Sequence, residues 1–236
     1  MGGVCALTLA TACAETIPVD SSPDLLWAES FRWESTPGIE LESPTAAVVR
    51  AAVESDAITL SLGRKYAYPG YADAAGDHGT SRYKWPAGAI GTLAMNLIEL
   101  EQSPNSLSAF VCIDTTGIAS PEEGRYPLPA TDPFYVLHAY RISAQRDHTM
   151  PDAAPPTEVS TPATATTLPG PPGRNFRPTE NVFDNWELTE FAMSAAPEDI
   201  QRCRPWAKQR WGGPNPPVPT RTEAEPPVVE PFHPGW

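Results

Sequence analysis

Leu93-Ala-Met-Asn-Leu-Ile-Glu-Leu-Glu-Gln-Ser103-Pro-Asn-Ser106-Leu-Ser-Ala-Phe-Val-Cys-Ile-Asp-Thr-Thr116 reads as two apolar strands meeting at a turn of residues that favour tight backbone reversals. Leu93, Met95 and Leu97 alternate on one face. The apolar parity then changes at Ile98 and Leu100, leaving Glu99 and Glu101 opposite. A change of parity inside one strand predicts a β-bulge, which bends and twists a sheet. In the second run Leu107, Ala109, Val111 and Ile113 share one face, and Phe110, Cys112 and Asp114 share the other. Because Phe110 and Cys112 also favour burial, this strand is expected to be central and covered on both sides.

Working outward, Phe134, Val136, His138, Tyr140 and Ile142 form the face of a third strand, with Tyr135, Leu137 and Ala139 behind it. Asn181 to Met193 is a fourth candidate, with Val182, Trp186 and Leu188 on one parity and Phe183 and Phe191 on the other. Upstream, Ser43 at a cap, Pro44 at the first helical position and Gly63 past the end mark a helix. Its stripe of Val49, Val53, Ala57 and Leu60 is expected to face the sheet, with Arg50, Glu54 and Asp56 elsewhere on the wheel. The pattern is α+β: a curved antiparallel sheet of about four or more strands with at least one packed helix, plus a Pro-rich insertion and tail.

The chain has 236 residues, with Pro 29 against Gly 16, so much of it cannot join regular elements. One domain of about 120 to 150 residues is expected. The net charge of -13 argues against nucleic acid and anionic membrane surfaces as partners, since both require cationic patches.

Residues 1–12 are small, apolar and uncharged, like the end of a signal peptide with its cationic region upstream. Ala10-Thr11-Ala12-Cys13 resembles the lipobox of bacterial lipoproteins, departing from it at Ala10, where a larger aliphatic residue is usual. That resemblance implies acylation of Cys13 and contact with a membrane through the lipid anchor only; ordinary cleavage near Ala12 or Ala14 is the alternative. If Cys5 leaves with the signal and Cys13 carries lipid, Cys112 and Cys203 remain, and an oxidising compartment favours a disulfide between them. Either way the expected location is extracytoplasmic, membrane-anchored or secreted.

Residues 13–42 form a tether and an aromatic arm, in which Leu25, Leu26, Trp27, Phe31 and Trp33 are expected to dock on the domain as a short helix or strap. The domain runs from 43 to 203, interrupted at 144–178 by a Pro/Thr-rich insertion too poor in apolar residues to order itself, and suited to O-glycosylation. Residues 204–236 form a Pro-rich tail, expected to be solvated. Trp206, Trp211 and Trp236 within it keep open a partner with an aromatic groove.

No Gly-x-Ser-x-Gly elbow, phosphate-binding loop or dinucleotide fingerprint occurs, and no Cys-x-x-Cys or His-x-x-x-His spacing suggests a metal. No cofactor is therefore expected. His138 and Asp114, on consecutive strands, are the weak candidates for an acid-base pair, while Tyr66, Tyr71, Trp85 and Trp186 are candidates to line a ligand pocket.

Tyr68-Pro-Gly-Tyr71-Ala-Asp, Phe110-Val-Cys-Ile-Asp114 and Asn181-Val-Phe-Asp-Asn-Trp186 together resemble a group of exported actinobacterial proteins of unknown function. The element order looks like the cone-shaped nuclear transport factor 2-like fold, with a lipocalin-like sheet as the alternative. That fold hosts enzymes and catalytically silent modules alike. The expectation is an exported, lipid-anchored cell-envelope module that binds a protein partner or a small apolar ligand. The alternatives are a small-molecule enzyme using His138 and Asp114, and a Pro-rich wall spacer.

Overall fold

The computed structural model describes residues 27–79, 88–146, 174–194 and 196–236. Residues 1–12, expected to be a signal segment, together with Cys13, Leu25, Leu26, Trp85 and most of the Pro/Thr-rich insertion, lie outside these residues. Six strands, β1 (Trp27–Ser35), β2 (Ala89–Gln102), β3 (Ser106–Asp114), β4 (Ile118–Ala119), β5 (Leu137–Arg146) and β6 (Trp186–Ser194), form one sheet. Its order is β1-β2-β3-β5-β6, with β4 pairing β2. The helices are α1 (Pro44–Leu62), α2 (Tyr71–Ala75), α3 (Pro133–Val136) and α4 (Pro197–Trp211). The α+β class and mostly antiparallel sheet are as expected from the sequence. Among the described residues, no helix is long and apolar enough to cross a membrane.

The central hairpin follows its periodicity. The β2–β3 register shifts between Leu97 and Glu99, where the parity changes. Leu107, Val111 and Ile113 face the core under α1, whereas Phe110 and Cys112 face α4. Both sides of β3 are covered, which is why both of its parities are apolar. A second irregularity, between Ser143 and Ala144 where β5 pairs β6, lets Leu188 and Phe191 enter one core despite opposite parity.

Several expectations are corrected. Trp27 to Trp33 is neither helix nor strap but edge strand β1, pairing in parallel with β2 from Trp27↔Ala89 to Ser35↔Leu97. Parallel neighbours need a long crossover, and α1 supplies it. Phe134 to Val136 is a helical turn, because Asp132 accepts a hydrogen bond from the Phe134 N–H and Pro133 fixes the first helical position. The fourth strand starts at Trp186, after an Asn181 turn in which the side chain accepts from the Phe183 N–H. The insertion is narrower than 144–178: β5 runs on to Arg146, and Arg174 to Arg177 pack on the domain, Arg174 pairing with Glu42.

The tail boundary at 204 falls inside α4, whose Pro205 disguised it as tail. Cys203 on that helix forms a disulfide with Cys112, with the two Cα atoms 5.4 Å apart. Beyond Trp211 the chain is not a free tail either. It returns to the β1 edge, where Phe232 is buried.

Helix α1 keeps its cap, with Ser43 accepting from the Ala46 N–H, but its orientation departs from the apolar stripe. Arg50, Glu54 and Asp56 are each no more than 2% exposed, while Ala57 and Leu60 are half-buried. Charged residues can occupy such a face only if partners replace the water they lose.

Candidate functional site

Those partners define the most distinctive region of the molecule. The Glu54 carboxylate accepts from Trp33 Nε1 at 2.7 Å, Tyr68 Oη at 2.6 Å and Trp236 Nε1 at 3.0 Å, and Arg50 Nε lies 3.8 Å away. One carboxylate thus gathers β1, the turn after α1 and the last residues of the chain. Burial raises its pKa, opposed first by Arg50 and then by the hydrogen bonds. Arg50 in turn donates to the Leu41 and Gly235 carbonyls and lies 4.2 Å from the centre of the Trp236 ring.

A second carboxyl, Glu29 on β1, accepts from Trp27 Nε1 and Ser61 Oγ, both at 3.2 Å. Burial pushes its pKa to about 7, because those hydrogen bonds only partly offset its loss of water. Asp56 accepts from Tyr71 Oη at 3.1 Å and Tyr140 Oη at 2.6 Å. Burial, then the charge of Asp56, holds the Tyr71 hydroxyl in its neutral, donating form by raising its pKa.

Beside this network, Trp27, Phe31, Tyr66, Tyr68 and Phe176 wall a groove along the β1 edge. Phe232 fills it, its ring centre 5.8 Å from Phe31 and 5.9 Å from Phe176. The free space left is about 10 Å³, the scale of one water molecule. Residues 228–236 wrap the edge of the sheet. The Thr92 hydroxyl donates to the Val228 carbonyl and accepts from the Glu230 N–H, and Arg32 pairs with Glu230. His233 then bonds to β1 in both directions, Trp33 N–H to His233 O at 2.9 Å and His233 N–H to Phe31 O at 3.1 Å. Asn175 and Trp236 exchange a further pair of main-chain hydrogen bonds at 2.9 Å.

The residues singled out from sequence are distributed unevenly. Tyr66 walls the groove. Tyr71 is fully buried on Asp56 and faces no opening, Trp186 lies in the core with Arg146 4.6 Å from its ring centre, and Trp85 is outside the described residues. His138 and Asp114 are not brought together. His138 pairs with Ile113 and Asp114 with Leu137, which directs the two side chains to opposite faces of the sheet. Asp114 instead accepts from Arg210 Nε and Trp211 Nε1, both at 3.0 Å, and from the Thr116 N–H. Burial lowers the pKa of His138, opposed by the charge of Asp114.

The Tyr68-Pro-Gly-Tyr71 and Asn181 motifs do meet. Gly70 adopts φ +81°, and a side chain there would strike the Asn181 amide. Sequence reasoning missed Glu29, Arg50, Glu54, Trp33 and Phe232, since nothing local marks a helix-wheel carboxylate as buried. The available signal was an excess of indoles. Trp206 donates to Glu34 and Trp211 to Asp114, so five tryptophans, counting Trp27, Trp33 and Trp236, each give their N–H to a carboxylate of the same domain. Comparison of the chain with protein-family models, with curated proteins and with solved structures finds no match.

Proposed function

We propose that this chain is an exported, lipid-anchored cell-envelope protein that acts as a non-catalytic binding module, and that the aromatic groove at the β1 edge is its binding element. The observation that carries the reading is the way this groove grips residues 228–236. It combines main-chain hydrogen bonds to β1, an aromatic slot around Phe232 and a polar anchor at Glu54 and Arg50. The Cys112–Cys203 disulfide supports the extracytoplasmic part, because it joins the two cysteines left once Cys5 is removed and Cys13 acylated.

Mass spectrometry of the protein from its native host tests that part. A mature chain starting at an acylated Cys13, with no thiol alkylated before reduction, is the expected result. A chain retaining Met1, with Cys112 and Cys203 both alkylated, overturns it.

A further inference from the structure

We infer that the groove along β1 is a site for peptide segments that carry two aromatic side chains four residues apart and bend at a proline between them, as residues 227–236, its resident occupant, do at Pro234 and Gly235. This deepens the binding-module reading and rests on it. The partner class follows from how the resident segment is held. Main-chain bonds from β1 to His233, a single bridge, read only the backbone there, while the side chain of His233 is exposed and reads nothing. Selectivity lies at the flanking positions: Phe232 enters the slot against Phe31 and Phe176, and Trp236 stands against Tyr68 with its indole on Glu54. Arg50 adds a donor for the carbonyl of residue 235, at 2.7 Å.

The resident segment is joined to α4 by a surface linker. Residues 222–226 and Val218, 77% exposed, lie on the surface, and Arg221 and Glu223 hold this linker to Tyr126 and Pro127 rather than to the disulfide-tied sheet. While tethered, the segment competes at an effective concentration of roughly millimolar, so a free peptide meets a closed site. Weakening the tethered copy opens that site to an external one.

The experiment is fluorescence anisotropy of a labelled peptide, Pro227 to Trp236, against the oxidised full-length protein and its Trp236→Ala and Phe232→Ala variants. At least tenfold tighter peptide binding by either variant than by the natural chain is expected, together with loss of binding when both aromatics of the peptide are alanine. Variants with native circular dichroism and an intact disulfide that bind the peptide no more tightly overturn the inference, as does equal binding of the alanine peptide. A variant that rejects the peptide but takes up an apolar dye overturns only the peptide assignment and leaves the groove as a binding element. If neither variant folds, a protease site inserted at Val218 lets the natural segment be nicked in place. Uptake of excess labelled peptide by the nicked protein then supports the inference, and none after equilibration overturns it. A dimer that Trp236→Ala abolishes supports the same site with a second copy's segment as the occupant.

Discussion

On one face of the sheet α4 is fastened by a covalent bond, Cys203 to Cys112 near the end of β3, with Arg141 and Asp199 paired at its start and Arg210 on Asp114 at its end. On the other face no covalent bond joins the described elements. There α1 and the last ten residues meet the sheet through aromatic rings and buried carboxyls, each carboxyl receiving donors from distant parts of the chain. The first arrangement restricts the unfolded chain as much as it joins the folded one. The second exists only when every partner is in place, so it depends on contacts between segments far apart in the chain.

The largest test attacks the covalent face. With the cysteines 91 positions apart in sequence, replacing both Cys112 and Cys203 by alanine is expected to cost about 4 to 5 kcal/mol, read as a lower urea midpoint than that of the oxidised chain. A loss below about 1 kcal/mol would mean that the two faces are not fastened differently after all. On the opposite face, Phe232→Ala is expected to cost about 3 kcal/mol, near the low end for a buried ring because its slot is at the sheet edge. It should also increase protease cleavage between residues 212 and 226, whereas the cysteine variant should not do so selectively.

A third test uses pH. Glu29 has its folded pKa raised from 4.5 to about 7, so the native state holds a proton that the unfolded chain releases. Its contribution is fully present below pH 4.5 and is lost as pH rises through 7, up to about 3 kcal/mol in total. Urea titrations from pH 4.5 to 8 should show this decline in the natural chain and a flatter profile in Glu29→Gln. Equal slopes would remove Glu29 as its source. The smallest effect is local to α1: Ser43→Ala should cost about 1 kcal/mol through the lost cap and leave the pH profile unchanged.

Much of the fold could be read before any coordinates. The bulge at Ile98 shows as a parity change because alternation is a two-residue property. The ends of α1 show because capping is chemistry between neighbours. The Cys112–Cys203 pair followed from arithmetic on the expectation of a leader, and the structure joins the two cysteines. The site was far less legible. Glu29 interrupts the apolar face of β1 and masks its period of two, and Arg50 and Glu54 look like solvent-facing charges on the α1 wheel. Phe232 and Trp236 sit in a segment whose proline content reads as solvated tail. Of the suggested pocket residues among the described ones, Tyr66 is at the groove and Tyr71 and Trp186 are not, because aromatic content does not say which rings share a wall.

By itself, then, the sequence determined the elements set by local periodicity and capping: the hairpin, its bulge, α1, and the covalent link to the late chain. Tertiary structure alone decided that β1 pairs in parallel with β2, that α1 turns its charges inward, and that residues 227–236 close the β1 edge. The physical reason is the same in each case. Burial of a carboxyl or an edge strand is favourable only when donors from elsewhere in the chain complete it, and Trp33, Tyr68 and Trp236 meet at Glu54 only after the chain has folded.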